Sequence, residues 1–187
     1  MNKALLSDDQ IREFITNGFL ILNCENQEIL HKIIKDKLEY FYNTESWLGN
    51  NVMARIPELW NIIESDIVKG AVTSILGPEY VLHPHRAVHT SEPIDDKTIT
   101  YSAQQDAPQM GSGSQAGSAW HQDAHSPLAR ARHHFPKYLI GFYFPHYTPP
   151  EMGPTRIYAG SQFYSKPLVP SKKFSLLGFE AGSFVLA

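Results

Sequence analysis

The sequence contains very little cysteine. Cys24 is the single cysteine among 187 residues, so the chain cannot form an internal disulfide. A lone thiol is typical of proteins in a reducing compartment, and we expect a cytoplasmic protein. No apolar run approaches the roughly 20 residues of a membrane helix, and the charges of Asp8, Asp9 and Arg12 interrupt any signal-peptide core near the start. These absences predict no membrane partner.

A basic face is also absent. The chain has 16 Lys and Arg against 19 Asp and Glu, a net charge of −3 with His neutral, and its basic residues form no long run. Nucleic-acid binding needs a basic face, so this class of partner is excluded. The hydrophobic content of 42% is enough for a folded core. The length predicts one domain over residues 1–187.

The first 78 residues are predicted to form a helical cover. Ser7-Asp8-Asp9-Gln10 has the pattern of a capping box, and Gly18 can end that helix in a left-handed conformation. A second helix is predicted over about 26–42 and a third over 57–76, where Gly77-Pro78 ends it. The apolar stripe of the second helix comprises Ile29, Leu30, Ile33, Ile34, Leu38 and Phe41.

After Gly77 the composition changes to that of β-structure. Residues 102–119 are rich in Gly, Ser, Gln and Ala, so we expect a flexible loop there. Helices followed by strands favour an α+β fold that is mainly β, with the β portion over residues 79–187. The strand candidates are Phe19–Leu22, Tyr80–Thr90, Lys97–Tyr101, Tyr138–Phe144, Thr155–Tyr158 and Ser183–Leu186.

The segment Trp120-His121-Gln122-Asp123 is the best candidate for a metal site. In a strand, residues two apart project to the same side, so His121 and Asp123 could present an imidazole and a carboxylate to one cavity. With a second His they would form a facial triad, which binds Fe(II) and leaves coordination positions open for O₂ and a co-substrate. The His-x-Asp pair alone is common by chance.

Several further segments make the pattern more specific. Taken with the His-x-Asp segment, they resemble the phytanoyl-CoA dioxygenase family of Fe(II)- and 2-oxoglutarate-dependent oxygenases. Their order and spacing match that family over nearly the whole chain. The segments are Leu6-Ser7-Asp8-Asp9-Gln10-Ile11 with Phe14, Asn17-Gly18-Phe19, Ile75-Leu76-Gly77-Pro78, Gly153-Pro154-Thr155-Arg156, Ala159-Gly160-Ser161-Gln162 and Ala181-Gly182-Ser183-Phe184-Val185-Leu186.

The resemblance implies a double-stranded β-helix, the cupin-like jelly roll, with Fe(II) held by His121 and Asp123. It also implies 2-oxoglutarate as co-substrate, which is decarboxylated to succinate and CO₂ while O₂ is used to hydroxylate a small organic substrate. Family members that halogenate have a small residue in place of the carboxylate. Asp123 therefore favours hydroxylation.

The chain departs from the family pattern at several positions. The family often has His at the position of Gln162 and Asp at that of Ser183. Its second His ligand and its 2-oxoglutarate-binding Arg come after the strand that Gly182–Leu186 resembles, beyond Ala187. We therefore expect a C-terminally truncated fragment with weak metal binding and little or no turnover of its own.

Two other functions stay open at this point. A non-catalytic β-helix domain that binds a small molecule or a protein would dispense with the missing ligands. A zinc hydrolase would use His83-Pro84-His85, although such pairs usually occur in (β/α)₈ barrels of about 250 residues. Minor site candidates are His125 as a replacement ligand and His83, His85 or His89 as cavity residues. Further candidates are Arg130, Arg132, His133 and His134 as a basic lid, and Tyr138 or Tyr143 as hydrogen-bond donors to 2-oxoglutarate.

Overall fold

The computed structural model describes residues 4–24, 27–45, 51–83, 86, 88, 138–149, 152, 154, 155, 157, 159, 160, 162 and 179–187. These residues form five helices and three strands, so the predicted mixed α+β architecture is confirmed for this part of the chain. In chain order the elements are α1 (Asp8–Asn17), β1 (Leu20–Asn23), α2 (Glu28–Thr44), α3 (Val52–Arg55), α4 (Leu59–Ile63), α5 (Asp66–Leu76), β2 (Gly141–Phe144) and β3 (Ser183–Leu186).

Both ends of α1 follow the local sequence signals. The Ser7 hydroxyl accepts a hydrogen bond from the Gln10 N–H (3.3 Å), and the Gln10 side chain accepts one from the Ser7 N–H (3.0 Å). Gly18 ends the helix with φ +78°, and its N–H donates to the Phe14 carbonyl at 2.8 Å. The predicted capping box and left-handed terminus are both confirmed.

The prediction of one helix over 57–76 is wrong. The helix breaks after Ile63, and Ser65 (φ −60°, ψ 148°) is the extended N-cap of α5. Its hydroxyl accepts a hydrogen bond from the Val68 N–H at 3.3 Å. A Ser followed by Asp66 is a strong helix start, and here it overrides the apolar periodicity that runs through it.

The prediction for the buried stripe of α2 is also partly wrong. His31 and Ile34 are the buried residues of this helix, and Leu30, Leu38 and Phe41 pack against the core. Ile29 and Ile33, by contrast, are 79% and 39% exposed. The helix is apolar on more than one side, so periodicity alone does not identify the side that faces the core.

The three strands form one antiparallel sheet in the order β1-β3-β2. Leu22 of β1 and Tyr143 of β2 both pair with Phe184 of the central strand. All four residues of β3 are buried, as expected of a strand with neighbours on both sides. β3, near the end of the chain, therefore pairs with β1, near its start.

Hydrogen bonds extend the pairing of β2 with β3 by one pair, because Ile140 and Ala187 exchange two of them. At the other end a turn interrupts the pairing, and the Ser183 N–H donates to the Glu180 carbonyl at 3.0 Å. Thr148 and Phe179 form a separate antiparallel bridge beyond this turn. The rings of Phe144 and Phe179 stack there with centroids 4.2 Å apart.

The core lies between one face of this sheet and the helices. Leu20 and Leu22 alternate with more exposed residues along β1 and point toward the core, as the pleat of a strand requires. The sheet residues in this core are Leu20, Leu22, Phe184 and Leu186, and the helical side contributes Ile34, Val52, Met53, Ile56, Ile62, Val68 and Ala71.

Two predicted strands are not found where the structure describes the chain. Tyr80–His83, Arg86 and Val88 adopt no strand, and neither do Thr155 and Ile157. The strand predicted over 97–101 and the flexible loop over 102–119 lie outside the described residues. Among the helices that the structure describes, none has the length and apolar character needed to cross a bilayer.

Candidate functional site

The predicted iron ligands lie outside the described residues. This applies to His121 and Asp123, and also to His125, Arg130, Arg132, His133 and His134. In the described part of the chain, no three His, Cys, Asp or Glu side chains come close enough together to hold a metal ion. The donor set of an imidazole and a carboxylate still suits Fe(II) chemically, so the site stays a prediction from sequence.

The alternative zinc pair is only half described. His83 is exposed, and its ring meets Tyr138 edge to face at a centroid distance of 6.1 Å. His85 and His89 lie outside the described residues. Because one of the two histidines is not described, the structure does not test this pair as a metal site.

The C-terminus of α1 is the meeting point of two segments that carry the family resemblance. The Gly160 N–H donates to the Asn17 carbonyl at 2.8 Å, and the Gln162 side-chain amide donates to the Ile15 carbonyl at 2.8 Å. The last carbonyls of a helix have no partner within it, so these bonds satisfy groups that α1 leaves open. A Cβ on Gly18 would lie 2.3 Å from the Gln162 side chain. The Gln162 side chain could shift to accommodate this atom, so it is the positive φ of Gly18 that favours glycine here.

The start of the chain is fixed against α5 in a similar way. The Leu6 N–H donates to the Ser74 hydroxyl at 3.0 Å, and that hydroxyl donates to the Gly70 carbonyl at 2.8 Å. A Cβ on Gly70 would lie 2.1 Å from the Ala4 carbonyl oxygen. The segment before α1 therefore packs directly beside the helix that ends in Leu76-Gly77-Pro78.

Sequence reasoning missed a buried polar pair between α2 and β2. His31 is 5% exposed, and its Nδ1 lies 2.6 Å from the Tyr143 hydroxyl while its Nε2 lies 2.9 Å from the Cys24 carbonyl oxygen. A carbonyl only accepts, so a neutral His31 carries its proton on Nε2 and Nδ1 accepts from Tyr143. The available signal was the position of His31 between Leu30 and Ile34 in the apolar part of α2.

This arrangement restricts what Tyr143 can do. Burial raises the pKa of its hydroxyl well above the usual range, so Tyr143 stays protonated at neutral pH. Its proton is donated to His31, so its oxygen can only accept a further hydrogen bond. A donor role toward 2-oxoglutarate, considered above, would require this bond to break.

Gly182 makes room for the His31 ring. Its φ is +84°, and a Cβ there would lie 2.4 Å from His31 Nε2. The Gly182 carbonyl also accepts from the Cys24 N–H at 3.1 Å. Burial raises the pKa of the Cys24 thiol, which makes it a poor nucleophile. The cluster of Cys24, His31, Tyr143 and Gly182 thus joins β1, α2, β2 and the turn before β3 without a reactive thiol.

His146 lies at the edge of the same region. Burial, followed by the positive charge of Lys35, lowers its pKa, while Glu39 opposes the shift. Its Nδ1 is buried and has no hydrogen-bond partner among the described residues. Its carbonyl accepts from the Thr148 hydroxyl at 3.0 Å. Among the described residues, His146 does not belong to a group of three His, Cys, Asp or Glu side chains that could hold a metal ion.

A shallow surface cavity of about 320 Å³ occurs on α1, lined by Asp8, Ile11, Arg12 and Ile15. It contains no imidazole and lies on a helix surface, so it does not resemble a metal centre. No family model, curated protein or solved structure matches this chain. The functional argument therefore depends on the residues themselves and on how the described ones are arranged.

Proposed function

We propose that this chain is the iron-binding part of an Fe(II)- and 2-oxoglutarate-dependent dioxygenase with a double-stranded β-helix fold. The substrate class is a small organic molecule that is hydroxylated with O₂. The observation that carries this proposal is that resemblance segments far apart in the sequence lie against one another. The cytoplasmic location inferred from Cys24 belongs to the same proposal.

The convergence involves five of the segments or the residues directly beside them. Gly160 and Gln162 bond to the end of α1, β3 pairs with β1 directly after Gly18-Phe19, and Leu6 bonds to Ser74 just before Ile75-Leu76-Gly77-Pro78. Chance similarity in separate short segments gives no reason for them to touch. A shared fold does give such a reason, since motif residues then mark the contacts between its parts.

The strand arrangement also supports this fold. β3 lies between β1 and β2, and both pairings join strands that are distant in the sequence. A double-stranded β-helix needs such long-range antiparallel pairing, whereas a simple meander pairs consecutive strands.

In this proposal His121 and Asp123 hold the metal. A neutral imidazole and an ionised carboxylate supply a nitrogen and an oxygen donor, and one negative charge toward the divalent ion. Bound Fe(II) would supply the O₂ chemistry together with 2-oxoglutarate. Metal binding by His121 and Asp123 is therefore the property to test on residues 1–187.

The test is a titration of the ¹⁵N-histidine-labelled chain with Mn(II), a paramagnetic substitute for Fe(II), followed by NMR. We expect the imidazole signals of His121 to broaden first, with the assignment made from His121→Ala. Asp123→Ala should weaken binding by at least about tenfold, because losing a direct ligand should cost no less than losing its hydrogen-bonding support. Asp9→Ala is the matched control, since this carboxylate is 91% exposed in an ion pair on α1.

Two outcomes would contradict the proposal. Equal metal affinity of Asp123→Ala and Asp9→Ala would remove Asp123 from the site. Broadening of His83 and His85 first, with His121 unaffected, would favour the zinc-hydrolase alternative. An anaerobic addition of Fe(II) and 2-oxoglutarate gives a second readout, a visible charge-transfer band that should be absent in Asp123→Ala.

A further inference from the structure

Tyr143 and His31 place a proton donor and a base in direct contact. The Tyr143 hydroxyl donates to His31 Nδ1 at 2.6 Å, and the centroids of the two rings are 5.8 Å apart. The hydroxyls of Ser74 and Thr148, by contrast, donate to backbone carbonyls. A carbonyl is too weak a base to take up a proton, whereas a neutral imidazole takes one readily. The bond between Tyr143 and His31 can therefore transfer a proton as well as stabilise the fold.

We propose that Tyr143 is a redox-active tyrosine, which gives one electron to a strong one-electron oxidant while its proton moves to His31. In this step the Tyr143 O–H bond breaks and a bond between the proton and His31 Nδ1 forms. The electron reduces the oxidant. The products are a neutral phenoxyl radical at Tyr143 and an imidazolium at His31, and return of the electron and the proton restores the starting pair.

The surroundings of His31 suit the imidazolium. Its Nε2–H already donates to the Cys24 carbonyl at 2.9 Å, so after the proton transfer both ring N–H groups have an acceptor, one of which is the Tyr143 oxygen. A buried charge is costly unless it is hydrogen-bonded in this way. The proton moves along an existing hydrogen bond, so no heavy atom has to be displaced. Because His31 is only 5% exposed, the proton is kept from solvent and can return.

The surroundings of Tyr143 favour loss of the electron and the proton together. Burial raises the pKa of its hydroxyl well above the usual range, so at neutral pH there is no phenolate from which an electron could leave alone. Loss of an electron from the protonated ring would create a cation beside Phe184, whose centroid is 6.4 Å away. Transfer of the proton to His31 avoids this charge on the ring. Tyr143 is only half-buried, so a small oxidant can approach it from solvent.

A redox-active tyrosine can hold an oxidising equivalent without permanent damage to the chain. In an enzyme that activates O₂, an oxidising equivalent that does not reach the substrate attacks nearby side chains. Tyr143 would hold it until an external reductant supplies an electron. This protective role rests on the proposed oxygenase function, whereas the redox chemistry of the pair does not.

The test uses residues 1–187 without iron or 2-oxoglutarate, so its result is independent of the proposed metal site. The oxidant is ruthenium(III) tris(bipyridine) generated by a light flash, and electron paramagnetic resonance of rapidly frozen samples detects the radical. Ring-deuterated tyrosine should narrow the spectrum, which identifies the radical as a phenoxyl. In D₂O the wild type should show a coupling to one exchangeable deuteron, in the hydrogen bond from His31. Labelling with ¹⁵N-histidine should reveal a coupling to the imidazole nitrogen.

Three variants assign the radical to this pair. Tyr143→Phe should remove most of the long-lived signal, whereas Tyr147→Phe, at a tyrosine that is 56% exposed, should leave it unchanged. His31→Gln retains a hydrogen-bond acceptor but no base, so it should slow formation of the radical and abolish the nitrogen coupling. Circular dichroism shows whether each variant is folded. If His31→Gln does not fold, the labelling experiment on the wild type still decides.

Two results would overturn the proposal. One is an equal loss of signal in Tyr143→Phe and Tyr147→Phe, and the other is a wild-type radical with no coupling to a histidine nitrogen. A chain that forms the Tyr143 radical but does not bind Mn(II) at His121 and Asp123 would support the redox chemistry and reject the metal site. The failures of the two proposals can thus be told apart.

Discussion

The hydrogen bond between His31 and Tyr143 makes a quantitative prediction about stability. Tyr143→Phe keeps the ring in place against Phe184 but removes the proton donor at 2.6 Å from His31 Nδ1. His31 is buried, so its Nδ1 then has no partner and loses its hydration as well. An unsatisfied buried acceptor costs about 1–3 kcal/mol. Because Tyr143 is only half-buried, we expect the lower part of this range, about 1–2 kcal/mol.

The assay is urea unfolding followed by circular dichroism, with thermal unfolding as a second measurement. For a chain of this length the loss corresponds to a decrease in Tm of roughly 2–8 °C. Tyr147→Phe is the matched control, because Tyr147 is 56% exposed and its substitution should change stability by less than about 0.5 kcal/mol. Equal stability of the two variants would refute the reasoning.

A double-mutant cycle separates the bond from other effects. His31→Leu removes the acceptor together with the bond from Nε2 to the Cys24 carbonyl. The free energy lost with the bond to the Cys24 carbonyl is the same whether or not residue 143 carries a hydroxyl. This loss therefore cancels in the cycle. The double variant should be more stable than the sum of the two single losses predicts, by about 0.5–2 kcal/mol. Additive losses would mean that the two side chains do not interact.

Three further predictions follow from neighbouring features. Above pH 10 the wild type should lose stability, because Tyr143 ionises in the unfolded chain while burial keeps it protonated in the folded chain. Urea titrations at pH 9–11 measure this loss, and Tyr143→Phe should not show the part of it that comes from Tyr143. Gly182→Ala should lower the free energy of unfolding by more than about 2 kcal/mol, because backbone strain at φ +84° is combined with a Cβ only 2.4 Å from His31. Gly160→Ala is the matched control, since its φ is +77° but the atom nearest to the new Cβ is 3.6 Å away. It should show only the backbone cost of about 1 kcal/mol in thermal unfolding. Ser65→Ala should cost about 1 kcal/mol by removing the N-cap of α5, measured by urea unfolding, and no change would show that the cap is dispensable.

The features that were predicted correctly depend on residues close together in the sequence. The cap at Ser7, the end of α1 at Gly18 and the strand at Ser183–Leu186 each have their cause within a few residues. The antiparallel register of β1 and β3 has no such local cause. The sequence analysis did not predict that these two strands pair, because their pairing depends on contacts between residues 160 or more positions apart.

The incorrect predictions arose where local signals conflict or are incomplete. Apolar periodicity continues through Glu64 and Ser65, but the capping serine decides where α5 begins. In α2, Ile29 and Ile34 are equally apolar, and only the packing of the sheet against one side determines which is buried. His31 was overlooked for a related reason. Its hydrogen-bond partner Tyr143 is 112 residues away in the sequence, and only the fold brings the two together.

The connection between β2 and β3 links the sheet to α1. Beyond the β2–β3 pairing the chain forms one separate antiparallel bridge, between Thr148 and Phe179. Between these points Gly160 and Gln162 reach the end of α1, which leads into β1 on the far side of β3 from β2. The excursion therefore spans from one edge of the sheet to the other. A short hairpin could not do this, because the two edges are separated by the central strand.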